Sequence, residues 1–141
     1  MPEMVIREAI ARGLREALDR DDTVFLMGED IGGYGGAYVV TRGFLEQYGP
    51  ERVRDTPIAE SVIVGSAVGS AMAGLRPVIE IMTINFALLA MDQIVNHAAK
   101  LHYMSNGQLT VPLMIRTVTG GGGQLDATHS QSFEGWFASV P

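Results

Sequence analysis

The sequence predicts an α/β fold, a parallel β-sheet flanked by helices on both faces. Three observations predict it. Several segments of strand length are apolar throughout, as strands buried on both faces are. They alternate with helical segments, the order that yields a parallel sheet with crossover helices. Residues of chemical character gather where the strands end, the edge at which open α/β sheets bind ligands. The 141 residues amount to one domain of ordinary size, and 47% of them are apolar, enough for a core.

Glu3 to Leu18 reads as an amphipathic helix with Val5, Ile6, Ala9, Ile10, Leu14 and Leu18 on one face. Asp19 to Asp22 is a polar turn. Thr23–Met27 is continuously apolar and reads as a buried strand that ends at Gly28-Glu29-Asp30. Gly32-Gly33-Tyr34-Gly35-Gly36 follows. It has neither the Lys-Ser/Thr ending of a phosphate-binding loop nor dinucleotide-binding spacing, and it reads as a flexible connection that a partner orders. Gly43 to Tyr48 is a short helix stopped by Gly49-Pro50, and Val53-Arg54-Asp55 is a short strand.

Asp55-Thr56-Pro57-Ile58-Ala59-Glu60 is the pivotal stretch. Pro57 suits a turn because its φ is fixed and it donates no backbone hydrogen bond. Glu60 then falls in the first turn of a helix that runs to Gly74. A carboxylate there is favoured by the helix dipole alone. The same position also presents it at the mouth of the sheet. Gly65, Gly69 and Ala73 recur at i, i+4 and i+8 on one smooth helix face, which suits packing within the chain or against a second subunit. Each glycine costs roughly 1 kcal/mol against Ala in a helix interior, so both call for a close approach. The apolar run is shorter than the ~18 residues of a membrane span and is bounded by Glu60 and Arg76.

Pro77–Ile81 is the next strand, and Met82–Asn85 is the turn after it. Phe86 to Met104 reads as one long helix with Ala90, Ile94, Val95, Ala98 and Leu101 toward the core. His97 and His102 lie five apart, off a common face, and read as surface or interface residues rather than metal ligands. Val111–Arg116 is a further buried strand. The loop Thr119 to Gln131 carries Gly120 to Gly123 and then His129. Ser132 to Ser139 reads as a helix that clusters Phe133, Trp136 and Phe137, and beyond Pro141 another strand is expected.

Composition narrows the partners. A net charge of −6 with a single lysine, Lys100, supplies no footprint for nucleic acid. With no cysteine, disulfides and thiolate metal sites are excluded. Met1–Ile6 shows no signal-peptide pattern, so a cytoplasmic location is expected. The apolar strand ends then place Glu29, Glu60, Met82, Phe86 and the loop with His129 on one edge of the sheet.

Six stretches, in this order, resemble a known family: Gly28-Glu29-Asp30, Asp55 to Glu60, Ala73 to Pro77, Met82-Thr83-Ile84-Asn85-Phe86, Asp92 to Asn96, and His129-Ser130-Gln131. The chain resembles the beta subunit of the decarboxylating component of 2-oxo acid dehydrogenase complexes, most closely the pyruvate type, and specifically its transketolase-like pyrimidine-binding domain. The resemblance implies thiamine diphosphate, with Mg²⁺ held by a partner alpha chain, and a lipoyl-bearing acyltransferase core as acceptor of the acyl group. It implies that the Glu60 carboxyl contacts the aminopyrimidine ring nitrogen and promotes its tautomerisation. Phe86 matches the aromatic that packs on that ring, Ile58 and Met82 match apolar contacts, and Glu29 matches a nearby polar one. His129 matches the active-site histidine of proton transfer or lipoyl-stage chemistry. The match ends at Pro141, so the family's second domain has no counterpart in these residues. Acetoin or branched-chain beta chains, a transketolase-like enzyme and a non-catalytic docking fragment remain the alternatives.

Overall fold

The computed structural model describes residues 3–141. Four parallel strands form one sheet: β1 (Val24–Gly28), β2 (Val53–Asp55), β3 (Arg76–Glu80) and β4 (Met114–Arg116), in the spatial order β2-β1-β3-β4. Successive side chains of a strand point to opposite faces, and both faces of β1 are buried. Val24 and Leu26 pack with α1 (Ile6–Arg20), α2 (Phe44–Tyr48) and Val53, around a fully buried Phe44. Phe25 and Met27 pack on the other side with Ile79, Ile81 and α3 (Glu60–Met72), whose Ile63, Val64, Ala67 and Val68 face the sheet. The layered architecture is therefore the predicted one.

Expectations for two helices and the last strand are corrected. In α1 only Ala11, Leu14 and Leu18 are buried, whereas Val5, Ile6 and Ile10 are exposed, Ile6 at 81%. Only the second half of the helix lies over the sheet, so the apolar stripe outruns the surface that could cover it. The long helix is not regular: α4 (Ile84–Ala87), a 3₁₀ turn (Leu88–Ala90), a π-helical stretch (Gln93–Ala98) and α5 (Leu101–Met104) succeed one another. This segment packs along α3, where Gly65 leaves room for Gln93: a Cβ there would stand 3.2 Å from Gln93 Oε1. The last strand is short and half-buried, because β4 is an edge strand with β3 as its neighbour, and Met114 is 57% exposed. The chain closes with α6 (Glu134–Ala138), where Phe133 and Trp136 lie 5.0 Å apart between ring centroids.

The strands end on a common rung, which decides where the site lies. Asp55, Gly28, Glu80 and Arg116 stand side by side across β2-β1-β3-β4. The glycine-rich loop is fastened to this rung rather than flexible. Asp55 accepts hydrogen bonds from the backbone N–H of Gly32 at 2.6 Å and of Gly33 at 3.3 Å. Gly36, at φ +80°, sits where a Cβ would be 3.1 Å from Glu80 Oε1. A side chain at Gly32 would meet Asp55 Oδ2 at 2.8 Å. The glycines thus permit the backbone to dock on the carboxylates that end two strands. Glu80 in turn is paired with Arg116, whose Nη1 donates to Glu80 Oε2.

Candidate active site

One residue beyond the common rung, Glu29, Thr56, Ile81 and Thr117 form the next one, and the ladder continues through Thr56 N–H to Gly28 O and Ile81 N–H to Arg116 O, both 3.0 Å. The pleat turns this rung toward the α3 side, where Ile81 joins the core. Among the described residues, the buried side-chain atoms without a hydrogen-bond partner are Glu29 Oε1, Thr56 Oγ1 and Thr117 Oγ1. All three belong to this single rung at the carboxyl edge of the sheet. Buried polar atoms are almost always satisfied, so a row of unsatisfied ones points to a binding partner from outside the chain.

Glu60 opens α3 beside this rung and is 3% exposed. Glu29 is 6% exposed. Burial, and after it the negative charges of Glu60 and Asp30, raise the Glu29 carboxyl above the usual glutamate range. No ion pair among the described residues includes Glu29 or Glu60. Two uncompensated carboxyls at one buried edge are costly to folding, and such arrangements concentrate at functional sites.

Phe86 and His129 come together as a second pair. Their ring centroids are 5.2 Å apart at an interplanar angle of 88°, an edge-to-face contact. Phe86 lies in α4, after β3, and His129 ends the 3₁₀ turn Ala127–His129 in the loop after β4. His129 borders a cavity of about 290 Å³ with Tyr38, Thr83, Val118 and Leu125. Thr117 borders an apolar cavity of about 260 Å³ with Ile84, Ile94, Ile115 and Phe137. Met82 is half-buried two residues past β3. Ile58 is 81% exposed, in the turn that leads to Glu60. His97 lies 3.6 Å from Asp92, and His102 reaches Leu109 O at 2.9 Å.

The four strand ends, the buried pair of carboxyls and the row of unsatisfied atoms have the form of a ligand-binding edge. Residues 2–141 match the family described as the transketolase pyrimidine-binding domain. The chain belongs to that family. Within it, the chain is 54% identical over 141 residues to the pyruvate dehydrogenase E1 component subunit beta of Staurastrum punctulatum, covering all of this chain and 43% of the relative. It is 51% identical over 139 residues to the mitochondrial subunit beta-2 of Oryza sativa subsp. japonica, covering 99% of this chain and 37% of the relative. The Rickettsia bellii subunit beta is 50% identical over 139 residues, covering 99% of this chain and 43% of the relative. The chain therefore spans less than half the length of these relatives.

The orphaned Glu29 carboxyl oxygen can accept a hydrogen bond, and the Thr56 and Thr117 hydroxyls can donate or accept one. Sequence reasoning missed Thr56 and Thr117. The signal that could have found them is their register, one residue past each strand end, next to residues already singled out. Among the described residues no group of three or more His, Asp or Glu stands where it could hold a metal ion.

Proposed function

We propose that this domain is the pyrimidine-binding half of the active site of a thiamine diphosphate-dependent 2-oxo acid decarboxylating component. We assign pyruvate as its substrate and a lipoyl group on an acyltransferase core as the acceptor of the acetyl group. The unsatisfied rung Glu29–Thr56–Thr117 beside buried Glu60 carries the reading. The names of the relatives support the choice of pyruvate.

When bound, thiamine diphosphate supplies the electron sink on which a 2-oxo acid loses carbon dioxide. The residues of this chain bind and orient it and move protons. Glu60, held rigidly at the first position of α3, is the catalytic group toward the pyrimidine ring nitrogen. Its buried surroundings exclude water, which strengthens any proton exchange with a bound base. Glu29, raised in pKa by burial and by Glu60, holds a proton more readily than an ordinary glutamate and so can donate as well as accept at the site. Phe86 offers its ring to the pyrimidine, Met82 and Ile58 add apolar contact, and His129 serves proton transfer at the substrate end. Mg²⁺ and the diphosphate are assigned to a partner alpha chain. We propose a cytoplasmic location. No helix among the described residues is long and apolar enough to cross a membrane, and the relatives include bacterial chains and chains named as mitochondrial.

The test is pyruvate turnover with thiamine diphosphate, Mg²⁺ and an artificial electron acceptor, with and without the alpha chain. Turnover is expected only in the mixture. Glu60→Gln is expected to lower it by about 10²–10⁴-fold, the usual contribution of a positioned proton-transfer group, with an unchanged circular dichroism spectrum and intact alpha-chain association. Undiminished turnover by that variant would remove Glu60 from the chemistry.

A further inference from the structure

The loops that carry Phe86 and His129 are joined by a hydrogen-bond chain that the chemistry above does not use. Thr83 Oγ1 donates to Asn85 Oδ1 at 2.6 Å and accepts from the Asn85 backbone N–H at 3.2 Å. Asn85 Nδ2 donates to Gln131 Oε1 at 2.7 Å. Thr83 and Asn85 are buried, at 6% and 7% exposure. The Gln131 carbonyl accepts from Gly120 N–H at 3.0 Å, and Val118 O accepts from Ile84 N–H at 2.8 Å. The brace thus runs from the end of β3, through the residue next to Phe86, to the residue two past His129, and closes the base of the glycine loop.

His129 needs such an anchor. It is exposed, and its side-chain hydrogen bond runs to Thr128 Oγ1 at 2.9 Å, a neighbour in the same loop that ties it to nothing fixed. The loop contains Gly120 to Gly123, residues with the most backbone freedom to lose on ordering. The edge-on contact with Phe86 is weak and does not fix the loop by itself. A part-buried hydrogen bond between the Asn85 and Gln131 side-chain amides, made across 46 residues of sequence, is the directional constraint that selects one loop conformation.

We propose that Thr83, Asn85 and Gln131 form a positioning device that holds His129 edge-on to Phe86 at the mouth of the cavity. The proposal rests on the reading of His129 as a site residue. The experiment uses the full-length beta chain in complex with its alpha chain. Gln131→Leu removes the acceptor at similar size, and Gln131→Glu keeps an oxygen for Asn85 Nδ2. Each is made with His129 present and in a His129→Ala background. Hydrogen–deuterium exchange of residues 119–131 is read without cofactor, and acetyl transfer to lipoamide is read with it.

Gln131→Leu is expected to speed exchange across 119–131. It is expected to lower kcat by about 10²-fold, the loss that a 1 Å misplacement produces, at unchanged pyruvate KM. In the His129→Ala background the same change should cost nothing further, and Gln131→Glu should match the unaltered protein in both readouts. Unchanged exchange, or an equal loss of kcat in both backgrounds, overturns the positioning role. Absence of cofactor-dependent turnover in the unaltered complex overturns instead the functional reading, and the catalytic consequence of the brace with it.

Discussion

Glu29 is a carboxyl that the fold buries without compensation. Its Oε1 is buried without a partner and its pKa is raised, first by desolvation and then by Glu60. The folded carboxyl holds its proton more tightly than the unfolded one. Protonation therefore favours the native state, fully below the ordinary glutamate range, and this contribution is lost as pH rises through the folded value. Glu29→Gln removes the titration. The variant is expected to melt higher than the parent at neutral pH, with the difference closing as pH falls from the raised folded value to the ordinary glutamate range. Melting curves across that window check it; a gap that stays constant with pH would mean Glu29 does not titrate differently on folding. A stability gain that accompanies a loss of cofactor binding is the usual signature of a site residue kept at a cost to the fold.

At the scale of the element, α3 combines a rigid site with an open face. Its buried side is fully engaged by the sheet, and Gly65 is engaged by Gln93. Gly69 is different, since a Cβ added there meets nothing within 4 Å. The smooth stripe therefore splits: one end serves packing within the chain, and the other is unpartnered here. Gly69→Ala should then raise the stability of the domain by about 0.5–1 kcal/mol, the entropic difference between the two residues in a helix interior. Urea unfolding midpoints measure it, and a decrease would show that the Cβ is not free. The glycine-rich loop teaches the opposite lesson. Its composition reads as flexibility, yet Asp55 holds Gly32 and Gly33 to the end of β2, and Gly36 lies close against Glu80 at the end of β3.

Across the whole molecule, the pair Glu80–Arg116 ties the edge strand to the sheet. Burial lowers the Arg116 pKa, so its charge is sustained against desolvation. Removing one partner leaves the other buried and uncompensated. Arg116→Met is expected to cost about 3–5 kcal/mol, and the double change Glu80→Leu with Arg116→Met distinctly less, because no isolated charge then remains. Denaturant unfolding of both variants checks the order; equal losses would assign the cost to packing rather than to charge. A failure here would also loosen Gly36 and the start of the β4–α6 loop, so site geometry and fold stability share this pair.

By itself the sequence determined the layered parallel architecture, the order of elements and the edge on which Glu29, Glu60, Phe86 and His129 lie. Those properties follow from local apolar runs, turn residues and the direction of parallel strands, all of which act over a few residues. Only the tertiary structure decided that α1 is half-covered, that the helix after β3 breaks into 3₁₀ and π turns, and that β4 is an exposed edge. It alone aligned Glu29, Thr56 and Thr117 on one unsatisfied rung and linked Asn85 to Gln131. These depend on strand register and on contacts between residues tens of positions apart, which no local pattern encodes.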